Sequence, residues 1–479
     1  MSKKVFAVIL LTVFLATFAF AGCSGKPQGT TFEMSPESSP LNEEEPEDEE
    51  WNDETSAPEP DQSSAELEFS SNEATIEETV LVDNDNFRIT AKGLTYGSYS
   101  VDLEVTIENK SDRNLSFVCG SLGYCCNSIN GYMVDDGYLN CDINAGKKAN
   151  GTINFNYDEL MLRGITEITD IEIGFSISDE EYDYTYTGPL QIKTSIADTH
   201  DYDVAYYQKA IVSDATKFKY NHSVNHFATD TIYDANGVSI VSELLMVNKN
   251  GRTGLLLEAV NNSDDIVRIV MDNVAINGLV VSSWNRQSDV VNPGKRCIID
   301  VNLSEMLDDY KWPIYGIQDV ASVQLSLILK NADGEKISDD TRISIDIPGK
   351  KSSISMDGAE VYNKDGIRII SKEVMAGAGD YDDNMYIQLL AENTSGSTVV
   401  IGEVFNSLSV NGYMISSSIF SDRKLQNGEC AALEITLMES ALDENKIVEV
   451  SDITEVEIGL SIENERYETI DEPTITIVY

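Results

Sequence analysis

The sequence predicts an all-β chain: three tandem antiparallel β-sandwich modules, each with one short helical turn, after a disordered acidic stalk. Three observations predict it. Five short blocks recur three times in the same order. The segments they delimit alternate apolar and polar residues, the period of a strand with one buried face. Ahead of them, residues 24–80 carry too much charge and proline, and too little apolar material, to bury a core.

The chain opens Met1-Ser2-Lys3-Lys4, two cations, and continues into an uncharged apolar run over 5–20. Such a run falls short of the ~20 residues that cross ~30 Å of hydrocarbon. A basic head, a short apolar middle and then small residues is the grammar of a secretory signal. Ala21 and Gly22 are the small residues, and Cys23 comes next. Phe20-Ala21-Gly22-Cys23 resembles the lipobox of bacterial lipoproteins, with Phe20 where that family prefers Leu. The resemblance covers the first 23 residues. It implies removal of residues 1–22, acylation of Cys23 with palmitate-type chains, and a place on the extracytoplasmic face of the cell membrane. The expected link to the membrane is this amino-terminal lipid, because no other stretch is long and apolar enough to span.

Residues 23–80 are expected to serve as anchor and stalk. Residues 24–80 hold eighteen Asp and Glu against the single cation Lys26, and six of the chain's eleven prolines. Like charges repel and proline resists regular structure, so the segment stays disordered and extended. As a random coil it reaches about 40 Å, and as a polyproline-like strand about 170 Å. It lifts the folded modules off the membrane, or serves only as a solubilising spacer.

The remaining residues suit three cores better than one. Each copy opens with two apolar residues, a polar turn and a strand: Leu81-Val82 before Asp83-Asn84-Asp85-Asn86, Ile232-Tyr233 before Asp234-Ala235-Asn236-Gly237, and Val361-Tyr362 before Asn363-Lys364-Asp365-Gly366. A second block ends a strand at Asn109, Asn261 and Asn393. The third block is Ser128-Ile129-Asn130-Gly131-Tyr132-Met133, Ala275-Ile276-Asn277-Gly278-Leu279-Val280 and Ser409-Val410-Asn411-Gly412-Tyr413-Met414. Asn-Gly between apolar residues favours a type I′ hairpin turn. A fourth block sets Gly146-Lys147, Gly294-Lys295 and Gly428-Glu429 before a strand. The fifth is strict alternation: Ile171, Ile173, Phe175, Ile177; Val323, Leu325, Leu327, Leu329; Val456, Ile458, Leu460, Ile462. Five ordered blocks, three times, mark internal repeats.

These blocks place modules at 81–195, 230–348 and 355–479, with a connector at 196–229 and a linker at 349–354. Helix-like pieces fall at 157–162, 304–309 and 438–442, with Ser304 suited to an N-cap and Leu307 to the apolar contact. The stretch 202–218 of the connector reads as helix or loop. The shorter second linker predicts that the second and third modules are held more closely than the first and second. Short strands, Gly and Asn turns and one helical turn per module resemble the immunoglobulin-like domains strung along many bacterial surface proteins. That resemblance is one of architecture and brings no site motif with it.

Cys297 and Cys430 come after the fourth-block turn in separate modules and read as small buried hydrophobes. Copy one alone carries Cys119, Cys125, Cys126 and Cys141. Their spacing is not that of paired Cys-x2-Cys ligands, and three readings stay open: buried thiols, a disulfide, or metal ligation. A link from Cys119 to Cys125, or one to Cys141, is compatible with the export signal. The three histidines, His200, His222 and His226, all fall in the connector. His222 and His226 are four apart, but Asn221-His222-Ser223-Val224-Asn225-His226 is a poor helix former, so the pair reads as solvated linker. The acidic turn at 179–183 reads as solvated. So does Asp380-x-Asp382-x-Asn384, which has Met385 in place of the calcium-loop Gly and Ala391 in place of its Glu.

No nucleophile elbow, Ser-x-x-Lys, histidine triad or phosphate-binding glycine loop occurs in a supporting context, so neither catalysis nor a cofactor or metal is expected. A net charge of −49 excludes nucleic acid as a partner. The expected function is that of a noncatalytic cell-surface lipoprotein whose modules bind or space an extracellular protein or glycan. Carbohydrate binding is the first alternative, and it requires a planar row of Tyr or Trp on one face. A metal-dependent or thiol enzyme built on the copy-one cysteines or the connector is the second. The twenty-two tyrosines divide between packing and contact, and Trp284 and Trp312 both fall in copy two.

Overall fold

Along Ser100–Asn109 the residues Val101, Leu103, Val105 and Ile107 are buried while their neighbours turn outward. The same alternation buries Val323, Leu325, Leu327 and Leu329, and again Val456, Ile458, Leu460 and Ile462. Each row is the inner face of a sheet packed on another, and the protein is an all-β assembly of sandwiches. In a computed structural model of the chain, the described residues are 68–70, 74–120, 127–181, 183–282, 287–378, 382–415 and 422–479. Cys23 and the stalk up to residue 67 lie outside them, as do Cys125, Cys126, Trp284 and the first two residues of the Asp380–Asn384 motif. Residues 74–80, expected in the disordered stalk, instead join the first module, with Ala74 buried, Thr75 O accepting from the Ser195 amide and Thr79 opening a strand.

Each sandwich has a front sheet with four antiparallel strands in common, to which the second adds Ser223–Ala228. In the first these are Thr79–Asp83, Phe87–Tyr96, Ser100–Asn109 and Lys148–Asn156. In the second they are Tyr233–Ala235, Val238–Val247, Thr253–Asn261 and Arg296–Asn302. In the third they are Ala359–Lys364, Ile367–Ala376, Met385–Asn393 and Cys430–Leu437. The back sheets are built around the fifth-block strands Asp170–Asp179, Ser322–Asn331 and Glu455–Asn464. Three hydrophobic cores lie between the sheet pairs.

The recurring asparagines are structural ties. Asn109, Asn261 and Asn393 are fully buried. Each side-chain amide donates to two backbone carbonyls: Arg113 and Ile143 (2.7 and 2.8 Å), Asp265 and Val291 (both 2.8 Å), Ser397 and Leu425 (2.8 and 3.1 Å). Each carbonyl oxygen accepts from the amide and hydroxyl of the serine two residues on. A buried amide with all its groups partnered locks a strand end to two neighbouring segments. The third-block asparagines do the same at the hairpin tips. Asn130, Asn277 and Asn411 adopt φ of 49°, 55° and 52°, and each following Gly is also left-handed. Both central residues at positive φ make the type I′ turn that the Asn-Gly pairs predict. Asn130 Oδ1 accepts from the Thr169 and Asp170 amides, Asn277 Oδ1 from Ala321 and Ser322, and Asn411 Oδ1 from Thr454 and Glu455.

A short α-helix comes after the last front strand of each module, as Tyr157–Leu162, Leu303–Met306 and Glu439–Asp443, and the second and third modules add 3-10 helices at Asp309–Tyr315 and Val450–Asp452. Ser304 is not an N-cap. It lies inside its helix, buried, and its hydroxyl accepts from the Thr253 amide at 2.6 Å. The connector folds into helices Tyr206–Ala210 and Asp214–Tyr220 and then a strand, Ser223–Ala228, which pairs with Val238–Val247. Among the described residues no helix is long and apolar enough to cross a membrane.

Candidate functional site at the module joints

The third-block hairpins lead from one sandwich to the next. In the first module, Tyr132–Val134 runs parallel to Arg296–Asn302 of the second, and the Arg296 amide donates to Gly131 O at 2.8 Å. In the second, Leu279–Ser282 runs parallel to Cys430–Leu437 of the third, and the Cys430 amide reaches Gly278 O at 3.4 Å. Each back sheet thereby continues into the next front sheet. Tyr132 and Met133 are buried by the first joint, and Leu279 and Val280 by the second. The two joints share one device, so linker length does not rank them: the longer connector packs Tyr207 and Ile211 against the first module's core.

Each joint encloses a polar cluster. At the first, fully buried Glu258 accepts from Tyr132 Oη (3.1 Å), Arg296 Nη1 (2.9 Å), Ser242 Oγ (3.1 Å) and Gln208 Nε2 (2.6 Å). These donors come from the first module, the second module and the connector. Beside them Lys295, 6% exposed, reaches Asp170 Oδ2 at 3.4 Å and Glu172 Oε1 at 2.8 Å. Burial, reinforced by the Glu258 charge, raises the Tyr132 pKa, so its hydroxyl stays protonated and donates. At the second joint buried Lys311 meets Glu434 at 2.6 Å and Asp308 at 3.1 Å and lies over the Tyr386 ring. Burial pulls the Lys311 pKa down, but the two carboxylates outweigh it and the net shift is upward. Tyr315 Oη donates to Gln388 Oε1 at 2.8 Å, and Arg342 pairs with Glu429. Charges taken out of water need such partners on every side.

The candidates drawn from sequence are dispersed. Cys119 is buried and its thiol donates to Asn127 Oδ1 at 3.3 Å. Cys119 sits opposite Leu139, and Cys141, a free half-buried thiol, sits opposite Phe117. Burial raises the Cys141 pKa, opposite to what a reactive thiolate needs. Cys297 is buried in the second core, as a small hydrophobe; Cys430 is half-buried at the joint, and burial pushes its thiol up to about 11. The histidines are not solvated linker. His222 is buried, with Nε2 3.0 Å from Ile211 O, and His226 Nε2 lies 3.0 Å from Glu243 Oε1 across paired strands. Extended backbone, not a helix, separates them. His200 packs between Tyr202 and Tyr206.

The acidic turns close on themselves. Asp179 accepts from the Glu181 and Asp183 amides and pairs with Arg113, and Asp382 accepts from Tyr386 Oη. Among the described residues no three His, Cys, Asp or Glu side chains gather as a metal ion requires. Trp312 is core, its Nε1 donating to Leu307 O. Exposed tyrosines include Tyr99, Tyr184 and Tyr186 on the first module and Tyr413 on the third. An open cleft of about 710 Å³ at the first module is lined by its Tyr96, Tyr99, Tyr157 and Asp158, by Phe69 ahead of it and by Lys219 of the connector.

These features define a class: an all-β protein of sandwiches joined end to end through shared sheets and buried ion pairs. No family model and no curated protein sequence matches the chain. Among solved structures, the chain is similar to one described as giving structural insight into host cell surface retention of a 1.5-MDa bacterial ice-binding adhesin, at 10% identity and a TM-score of 0.12, covering 79% of this chain and 90% of that one. It is also similar to the exo-chitosanase CsxA of Amycolatopsis orientalis, at 7% identity and a TM-score of 0.16, covering 85% and 78%. Likeness at this level assigns no function.

Proposed function

We propose that this is a noncatalytic lipoprotein, anchored through Cys23, whose docked sandwiches carry a binding surface away from the membrane. The observation that supports this reading best is the pair of joints. A flexible string of beads has no need to bury Glu258, Lys295 and Lys311 between modules, whereas a spacer that must hold its far end in place does. The acidic stalk supplies reach, and its charge disfavours contact with an anionic lipid surface. The test is Cys23→Ser in the producing cell, with acyl-chain labelling and fractionation. The expected result is loss of the label and release from the membrane; retained label removes the proposal.

Carbohydrate binding is supported by one observation, the aromatic-lined cleft at the first module, where Tyr99 is 81% exposed. Titration with cell-wall glycan fragments, and loss of binding in Tyr99→Ala, distinguishes that reading from a protein-binding one.

A further inference from the structure

The third module repeats the docking tip of the first. Ser409-Val410-Asn411-Gly412-Tyr413-Met414 matches Ser128-Ile129-Asn130-Gly131-Tyr132-Met133, with the same left-handed Asn-Gly turn and the same asparagine ties. The registers also match, Ser128 opposite Glu172 and Ser409 opposite Glu457. Asp170 and Glu172, which hold Lys295 across the first joint, therefore have counterparts in Glu455 and Glu457. In the first module this whole set is buried by the second together with the connector, whose Tyr202 lies against Gly131 and Asp170 and whose Tyr207 amide donates to Tyr132 Oη. In the third, Glu455 and Glu457 are exposed, Tyr413 and Met414 are 53% and 61% exposed, and Val448 is also exposed. The middle tip lacks the acidic pair, having Ser322 and Gln324 there, and it meets Glu429-Cys430 instead of a cationic pair.

We propose that this carboxyl-terminal tip docks the front sheet of a β-sandwich module on a partner protein, by the parallel strand contact that joins the modules within this chain. The chemistry of the first joint defines the partner. Its edge strand opens with a cationic pair, as at Lys295-Arg296, to meet Glu455 and Glu457. Its first amide donates to Gly412 O, as Arg296 does to Gly131 O. Its sheet is apolar at the centre, as with Leu244, Leu256 and Ile298, to cover Tyr413, and its core receives Met414 as the second core receives Met133.

A second copy of this chain meets only part of that description. Lys147-Lys148 of the first module stand where Lys295-Arg296 stand in the second, but Glu104 and Asn150 occupy the positions of Leu256 and Ile298. A polar outer face is how the end module of a repeat array is closed. The first module's front face is thus polar where the second's is apolar, while the third module's tip is exposed.

This names the partner class for the binding role proposed above, and it is read independently of lipidation at Cys23. The probe is the unlipidated mature chain, residues 24–479, carrying Glu104→Leu and Asn150→Ile, which give the first module two of the apolar residues of the second's front face. Sedimentation velocity at micromolar concentration is expected to show the wild-type chain as a monomer and the resurfaced chain as head-to-tail oligomers. Adding Tyr413→Asp and Met414→Asp, both exposed and outside the cores, is expected to restore the monomer. A resurfaced chain that stays monomeric, or association that survives the tip substitutions, overturns the docking tip. Wild-type oligomers dispersed by the tip substitutions overturn the choice of a foreign partner.

Discussion

Removing the Glu258 carboxylate by Glu258→Ala strips one acceptor from four donors at once: Tyr132 Oη, Arg296 Nη1, Ser242 Oγ and Gln208 Nε2. Arg296 is largely buried and loses its counter-charge. Breaking a buried pair by deleting one member costs about 3–5 kcal/mol, because a charge is left unpaired in low dielectric. The neutral donors add to this only in so far as water cannot replace the carboxylate. Because those donors span two modules and the connector, most of the loss falls on the joint. Hydrogen exchange by mass spectrometry is the assay. An opening free energy lowered by about 3 kcal/mol raises exchange roughly a hundredfold or more where exchange is limited by that opening. Peptides covering residues 129–134, 206–211 and 296–302 are expected to lose protection together, while the front strands of the first module keep theirs. Loss confined to peptides within the second module refutes the assignment of Glu258 to the joint.

Asn393→Ala removes two buried donors and two accepted bonds and is expected to lower the stability of the third module by about 2–4 kcal/mol, read by denaturant titration. Burial, helped by the nearby Asp135 and Asp300 charges, pushes the Asp289 carboxyl up to about 7. The folded state therefore keeps its proton while the unfolded chain releases it between about pH 4 and 7. Stability falls by up to about 1.4 kcal/mol per pH unit as pH rises through that window, and the total is at most a few kcal/mol. Asp289→Asn is expected to flatten the slope in paired melts at pH 4.5 and 7. Residues 355–479 expressed alone are expected to unfold cooperatively as an all-β unit, less stably than in the whole chain. Ile370, Leu390 and Ala432, which pack into the second core, become exposed there and should bind a hydrophobic dye.

The strands were legible because their information is local. Alternation such as Val456, Ile458, Leu460 and Ile462 fixes which face is buried whatever lies opposite. The Asn-Gly tips were legible for the same reason, since few residue pairs accept two left-handed positions in succession. The joints were not legible. Tyr132 and Glu258 lie 126 positions apart, and no spacing rule links a hairpin tip to a carboxylate on a strand of the next module. His222 and His226 read as solvent-facing because their neighbours are polar, but Ser223–Ala228 pairs with Val238–Val247 and carries His226 to Glu243. Ser304 matches a cap by residue type, yet its hydroxyl is taken by Thr253 on the adjacent strand. A signal for the joints was present in the differences between copies. Leu256 and Ile298 stand where the first module has Glu104 and Asn150, and apolar residues on an outward strand face mark a surface that something covers.

The central claim is that the three sandwiches form one fixed body, held by docked tips, and not a flexible string. Spin labels on exposed positions of the first and third modules, Thr152 and Thr476 replaced by cysteine in a background without other reactive thiols, test it by pulsed electron–electron resonance. The account predicts a single narrow distance distribution that broadens when Glu258→Ala or Lys311→Met loosens a joint. A broad distribution in the wild-type chain contradicts it.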